Sequence, residues 1–348
     1  MPGTTASHPP ASAPHPLSAR PTYTDSQLSA YLSLLPSQPP LTLPATQKLI
    51  SDSPIAALRK LHLLQLAFAP FGSIAMHYSP HRIVSIDPDY LYHKIVHRRQ
   101  GGYCMELNCF WSTVLRSLGF DVYIAGARVS KAEMGSQGSH GFGGYGHQVT
   151  IVRIEGEKWL SDVGFGGRMS LEPVKLEVGA RGKGMLGWWQ RLAYRGVADF
   201  TQGDHKVWVV DVHDEWAGEV VQREEVFEGV QAEEGWRPAY CFADAEWLPA
   251  DFEMLNYRMC RDSFFTRTLI LTRPILNQQG TECVGQLTLM SDELSRTMSG
   301  EGQNEEKEVL GKFSKEQDRV EALEKWFSIK LTPDEARGIR GASSEIRG

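Results

Sequence analysis

The sequence predicts an α+β protein, with helices first, strands through the middle and a further helix close to the C-terminus. Three observations carry this expectation. Up to Gly119, apolar residues recur at three- and four-residue spacing; beyond it the period shifts towards strand-like alternation; and Val320, Leu323, Trp326 and Phe327 return to helical spacing. At 348 residues the chain is long enough for two or three packed units and a sizeable core.

The order of elements follows from local signals. Residues 1–22 are rich in Pro, Ser, Thr, Ala and His, with Arg20 as the sole charge, and read as a disordered tail. Thr24-Asp25-Ser26-Gln27 is a capping-box pattern ahead of Leu28, Tyr31, Leu32 and Leu35. A proline-rich connector is expected over 36–44. Ser53-Pro54 reads as N-cap and first residue of a helix carrying Leu58, Leu61, Leu64 and Phe68, which Pro70 ends. A short helix is expected over 88–97, and a longer one from Cys104 to a C-terminal signal at Gly119. Strands are then expected near 122–129, 147–154, 158–165, 206–212, 220–227, 267–272 and 285–289. Glycine-rich loops or irregular chain fill 131–146 and 179–203, and a charged loop fills 299–308. Ser314-Lys315-Glu316-Gln317 would cap the closing helix, and the last dozen or so residues read as frayed.

Composition excludes several function classes. A net charge of −6 with no basic cluster gives no electrostatic case for nucleic acid. The apolar runs at 61–71 and 207–212 are too short to span a bilayer. Five cysteines, at 104, 109, 241, 260 and 283, are an odd number without the spacing of a disulfide scaffold, so a reduced, cytoplasmic setting is expected. Neither CxxC nor HExxH occurs, so no metal site is expected.

Chemistry is concentrated in two places. In Gly101-Gly102-Tyr103-Cys104-Met105-Glu106-Leu107-Asn108, the cysteine falls in the first turn of a helix whose apolar positions make it mostly buried. Unpaired N–H groups and the positive end of the helix dipole lie near such a sulfur, and both favour the thiolate. A small buried hydrophobe is the competing reading of Cys104. The second place is a hairpin around Glu155-Gly156. With a two-residue turn, positions whose numbers sum to 311 pair, so Asp162 falls opposite Val149, on the face shared by His147. A three-residue turn would instead put His147 and Asp162 on opposite faces. A nucleophilic cysteine needs a base and the base needs an orienting group, and this pair could supply both. A surface histidine and an unremarkable strand-end aspartate remain the alternative.

Residues 141–146 match GxGxxG, but they run into a strand instead of opening a helix and lack a Walker lysine. They read as flexible backbone able to approach a ligand beside His147. Gly164-Phe165-Gly166-Gly167 could do the same beyond Asp162.

Together these residues resemble the arylamine N-acetyltransferase family, in its fungal type. The resemblance rests on Gly101 to Asn108, on Gly146-His147 at the head of a strand, and on Ser161-Asp162-Val163-Gly164-Phe165-Gly166. It extends to Leu58-Arg59-Lys60-Leu61-His62, Pro70-Phe71, 236–242, 251–257 and 326–331, in order over about 26–331. Two positions depart from the family pattern: Gln100 stands where an arginine usually precedes the glycine pair, and Gly72 where a Pro-Phe-Glu-Asn turn has its glutamate. The resemblance implies that those two charges pair in the family, so their joint loss avoids a stranded charge.

The resemblance implies a helical bundle (23–119) with the nucleophile, a central β-barrel (120–235) with the histidine and aspartate, an α/β lid (236–331), a flexible tail (332–348), and a Cys-His-Asp core similar to papain-like and transglutaminase-like enzymes. It implies acyl transfer from acetyl-coenzyme A, a co-substrate and not a resident cofactor, to arylamines, arylhydrazines or arylhydroxylamines. Cys104, His147 and Asp162 would act catalytically, Phe71 and Phe165 would line the acceptor pocket, and Gly143, Gly144 and Tyr257 would contact the donor. No nucleic-acid or membrane partner is expected. Other readings are malonyl- or propionyl-coenzyme A as donor, a secondary-metabolism amine as acceptor, a cysteine hydrolase or transglutaminase-like enzyme, and a non-catalytic binder of coenzyme A or a metabolite.

Overall fold

The computed structural model describes residues 20–135, 141–214, 235–299 and 305–347. Helix α1 (Asp25–Leu34) begins at the expected capping box: Gln27 N–H donates to Thr24 Oγ1 (3.3 Å) and Thr24 N–H to Gln27 Oε1 (2.9 Å). Helix α2 (Leu43–Asp52) corrects the expected connector at 36–44. Thr42 caps it, and Pro44 is tolerated because the first helical turn needs no N–H there. Helix α3 (Pro54–Phe68) starts where expected, although Ser53 makes no side-chain cap. A two-residue strand β1 (Phe71–Gly72) and helix α4 (Ile74–His77) follow. Helix α5 (Pro88–Tyr92) runs into one π turn, His93–His97, where a single helix was expected. Helix α6 (Cys104–Ser117) is buried on nearly every side, and Gly119 leaves it at φ +95°.

Eight strands then form one antiparallel sheet among the described residues: β2 (Asp121–Ser130), β3 (Phe142–Ile154), β4 (Glu157–Leu160), β5 (Val174–Lys175), β6 (Arg181–Lys183), β7 (Trp188–Arg195), β8 (Val207–Asp214) and β9 (Arg237–Phe242). Their order is β5-β4-β3-β2-β9-β8-β7-β6. The end strands approach each other, and a Cβ on Gly182 would lie 2.5 Å from Val174 Cγ2, so the sheet is nearly closed. Several expectations are corrected here. The glycine run 141–146 is mostly strand, not loop, because β3 begins at Phe142. The stretch 179–203 contains β6 and β7, whose mixed aromatic and charged residues hide their alternation. β4 stops at Leu160, so Asp162 lies beyond it. The strand expected at 220–227 lies outside the described residues. The boundary expected at 235/236 is not a break in the sheet, since β9 inserts between β2 and β8.

Helices α7 (Pro249–Arg261) and α8 (Phe264–Arg267) lead to a second sheet, β1-β10-β11-β12-β13, with β10 (Ile270–Leu276), β11 (Cys283–Met290), β12 (Glu293–Ser299) and β13 (Glu305–Lys312). Here α8 occupies the start of the expected 267–272 strand. Residues 305–308 are strand and not loop. Helix α9 (Glu316–Phe327) starts after Lys315 without the expected serine cap. A further helix, α10 (Pro333–Arg337), precedes buried Ile339 and Ala342, so the C-terminal residues pack and are not frayed.

Strand β3 is covered on both faces. Val149 and Ile151 join Tyr123, Ala125, Val210 and Tyr240 inside the curved sheet, while Val152 and Ile154 join the helical core with Phe110, Trp111 and Leu115. Period-two alternation thus sends one strand's side chains into two cores. This seam between helices and sheet is where the chemistry-bearing residues meet.

Candidate active site

Cys104 is the first residue of α6 and is buried, its sulfur 3.7 Å from the Gly146 carbonyl oxygen. The chain reaches it through Gly101 at φ +63°, where a Cβ would sit 2.0 Å from the Pro70 carbonyl oxygen. Only glycine permits that approach. Glu106 Oε2 accepts the Tyr103 N–H (3.2 Å), satisfying one donor at the helix start. The buried ammonium of Lys94, carried on the π turn, pairs with the other Glu106 oxygen. Burial raises the Glu106 carboxyl above its usual range, and Lys94 opposes that rise.

The hairpin has the two-residue turn on which the sequence argument depended. Glu155 and Gly156 have φ of +52° and +83°, as a type I′ turn requires, and Ile151 pairs with Leu160. Past that pair, Ser161 N–H still donates to the Thr150 carbonyl (2.8 Å). The Ser161 hydroxyl accepts from Trp111 Nε1 (2.9 Å) and meets His62 Nδ1 (2.9 Å), fixing the chain on the helices. Burial holds His62 down at about 4, so it is neutral there. Asp162 then turns towards His147, with Oδ2 2.7 Å from Nε2.

Both groups are buried, and their charges are mutually supported. Burial disfavours the imidazolium, but the Asp162 charge and hydrogen bond, with the Cys104 thiol, outweigh it and raise His147 to about 10. Burial likewise opposes the Asp162 carboxylate; the imidazolium, the Asn108 amide and the Gly164 N–H reverse this and lower it. Asn108 Nδ2 donates to Asp162 Oδ1 (2.9 Å) and to the Gln148 carbonyl (2.7 Å), and its Oδ1 accepts the Val163 N–H (3.1 Å). One side chain on α6 therefore ties β3, which bears His147, to the segment after β4, which bears Asp162. With Nε2 committed to Asp162, Nδ1 is the nitrogen available to the thiol. The arrangement can hold a thiolate beside an imidazolium.

Phe165 lies over this group, its ring centroid 5.3 Å from His147 and 4.7 Å from Tyr240. Phe71 is buried one step away, beside Gly166, whose missing Cβ would lie 3.2 Å from the Phe71 ring. The other three candidates lie along the seam of β3 and α7. A Cβ on Gly144 would approach Arg258 Nη1 (3.5 Å), and one on Gly143 would meet Met134 (2.6 Å). Tyr257 is exposed and accepts from Arg261 Nη2 (3.0 Å). These three are not brought against the Cys104–His147–Asp162 group.

Asn108, Ser161 and Tyr240 had no role in the sequence reading. Asn108 had a signal, since it stands four residues after Cys104 and so on the same helix face. Tyr240, 5.0 Å from His147 between ring centroids, had none, because its place depends on β9 inserting beside β2. Burial and the Asp162 charge raise its hydroxyl well above the usual tyrosine range. The departures also find an account: Gln100 Nε2 donates to Glu335 (3.0 Å), and a Cβ at Gly72 would lie 2.4 Å from the Ile270 carbonyl oxygen. Among the described residues no cluster of three or more His, Cys, Asp or Glu could hold a metal, and no helix is long and apolar enough to cross a membrane.

The family model of the N-acetyltransferases matches residues 54–336. N-malonyltransferase FDB2 of Gibberella moniliformis is 32% identical over 342 residues, 92% of this chain and 93% of its own length. The arylamine N-acetyltransferase / N-hydroxyarylamine O-acetyltransferase of Salmonella typhimurium is 33% identical over 150 residues, 43% of this chain and 47% of its own. Among solved structures, the Salmonella typhimurium arylamine N-acetyltransferase superposes with a TM-score of 0.65 at 22% identity, covering 91% of this chain and 98% of that one. The Mycobacterium marinum arylamine N-acetyltransferase in complex with CoA gives 0.62 at 21%, covering 83% and 93%.

Proposed function

This chain belongs to the arylamine N-acetyltransferase family of acyl-coenzyme A-dependent transferases, and on that premise we propose that it acylates the nitrogen of aromatic amines or hydrazines, or the oxygen of arylhydroxylamines, by double displacement through Cys104. The supporting observation is the contact of His147 Nε2 with Asp162 Oδ2 at 2.7 Å, beside a cysteine at a helix start. The arrangement is a Cys-His-Asp core of the papain and transglutaminase kind.

In the first half-reaction the Cys104 thiolate attacks the thioester carbonyl. The carbon–sulfur bond to coenzyme A breaks, and the leaving thiolate takes the proton held by His147. Asp162 keeps the ring oriented and stabilises its charged form. In the second half the amine attacks the acyl carbon, His147 accepts the amine proton, and Cys104 leaves as thiolate. Phe71 and Phe165 offer aromatic surface to a flat acceptor, while Gly143, Gly144 and Tyr257 are assigned to the donor by family position.

The donor is acetyl- or malonyl-coenzyme A. The relatives named N-malonyltransferase cover nearly this whole chain, which favours the malonyl thioester as the second reading.

Mixing the protein with each acyl-coenzyme A in the absence of amine tests the reading by intact mass. One acyl group is expected, and Cys104→Ala should abolish it. No added mass with any donor, or an adduct that survives Cys104→Ala, overturns the proposal. Hydrolysis without transfer to a simple aniline would identify a hydrolase instead.

A further inference from the structure

A cleft of about 440 Å³ opens between the C-terminal ends of α1 and α3 and the strand β10, and none of Cys104, His147 and Asp162 lines it. Its apolar walls include Leu35, Phe68 and Ile275, and its charged groups are Arg99 and Arg273. Among the described residues no carboxylate lines the cleft. The Arg99 guanidinium lies over the Phe68 ring, 4.0 Å from its centroid, and among the described residues it has no hydrogen-bond or ion-pair partner. A guanidinium stacked on an aromatic face keeps its in-plane N–H donors free. Arg273 spends one nitrogen on the Trp326 carbonyl (2.7 Å) and keeps the rest.

Two half-buried cations of like charge, with no counter-charge lining the cleft among the described residues, are a costly arrangement. Burial lowers the proton affinity of both guanidiniums, and Arg99 adds to the effect at Arg273. The backbone points the same way. Arg99 has φ +56°, a region that favours glycine or asparagine, so a bulky cation there is not explained by the turn.

We propose that this cleft binds a small dianionic ligand, a phosphate ester or a dicarboxylate, clamped between the guanidiniums of Arg99 and Arg273. Each planar fork matches two oxygens of such a group. The apolar walls would take the organic remainder, and the volume suits a small metabolite.

Titration calorimetry on the full chain, with phenyl phosphate and with malonate as probes, tests this. At least one probe should bind, and Arg99→Gln and Arg273→Gln should each weaken it by about ten- to a hundredfold, the effect of losing a charged hydrogen bond. Circular dichroism checks that each variant is folded; if Arg273→Gln is not, Arg273→Lys replaces it, keeping the charge without the fork. Absence of binding for both probes, or affinity unchanged in folded variants at both positions, overturns the proposal. Where binding is seen, competition by coenzyme A assigns the site to a phosphate of that molecule, and simultaneous binding assigns it to a separate anion. Either result keeps the clamp.

Discussion

His147 Nε2 lies 2.7 Å from Asp162 Oδ2, although the ladder between their strands ends at Ile151 and Leu160. Past that point one backbone hydrogen bond, from Ser161 N–H to the Thr150 carbonyl, remains, and side chains hold the rest of the approach. Ser161 is pinned to Trp111 and His62, and Asp162 to Asn108. The pair is therefore only as well placed as the helices that carry those anchors.

Asp162→Asn should leave the fold intact, since an amide oxygen can still accept from Asn108 and Gly164. It removes the charge that supports the imidazolium and the tautomer. Turnover should fall by roughly 10³–10⁴-fold, the scale seen when a triad aspartate is made neutral. Steady-state kinetics alongside circular dichroism decides; near-normal turnover in a folded variant would remove Asp162 from the mechanism.

Asn108→Ala should cost about 2–4 kcal/mol, because it removes the side-chain acceptor of the Val163 N–H and a side-chain donor to the Gln148 carbonyl, and leaves Asp162 Oδ1 with the Gly164 N–H alone. Urea denaturation measures the stability. Turnover should fall further than stability at 25 °C explains, because Asp162 loses its anchor to α6.

Because His147 is raised from 6.5 to about 10 in the folded protein, its protonation stabilises the fold most fully below pH 6.5. That contribution is lost as pH rises through about 10. Urea midpoints followed from pH 6 to pH 10 should decline more steeply in the parent than in His147→Gln. Parallel curves would show that the histidine does not gain a proton on folding.

Gly72→Ala should destabilise by about 1–3 kcal/mol or more, since the new Cβ meets backbone that cannot yield. Accordingly Gly72→Glu combined with Gln100→Arg, which rebuilds the charge pair usual in the family, should not recover the parent's melting temperature. Full recovery in the double variant would mean that β1 can move away from β10.

Lys94→Met leaves Glu106 buried without its cation and should cost about 3–5 kcal/mol. Lys94→Met with Glu106→Gln should regain part of that loss. A double-mutant cycle by denaturation reads the coupling, and additive losses would show that the pair does not interact in solution.

Much of the local order was legible because the signals are short-range. The box at Thr24 and Gln27, the helix from Cys104 to Gly119, and the Glu155-Gly156 turn each depend on residues a few positions apart. Strand parity from that turn directs His147 and Asp162 to one face, but β4 ends before Asp162 and the anchors of Ser161 and Asp162 complete the approach. The elements without a local signal take their structure from packing and pairing. β6, β7 and the 141–146 segment lack a hydrophobic alternation of their own and become strands by pairing with neighbours. Helix α2, short and polar, draws on its packing against the rest of the bundle, where propensity gave no warning.

Beyond those local signals, the sequence alone determines the helix start that carries Cys104 and the turn that relates His147 to Asp162, because loop length and side-chain alternation are properties of neighbouring positions. The fold adds what neighbouring positions cannot encode. Tyr240 reaches His147 through a strand inserted from far along the chain, Asn108 joins a helix to β3 and to the segment after β4, and Arg99 and Arg273, 174 positions apart, line one cleft. Burial then sets the protonation of each group, and burial exists only once distant segments have packed.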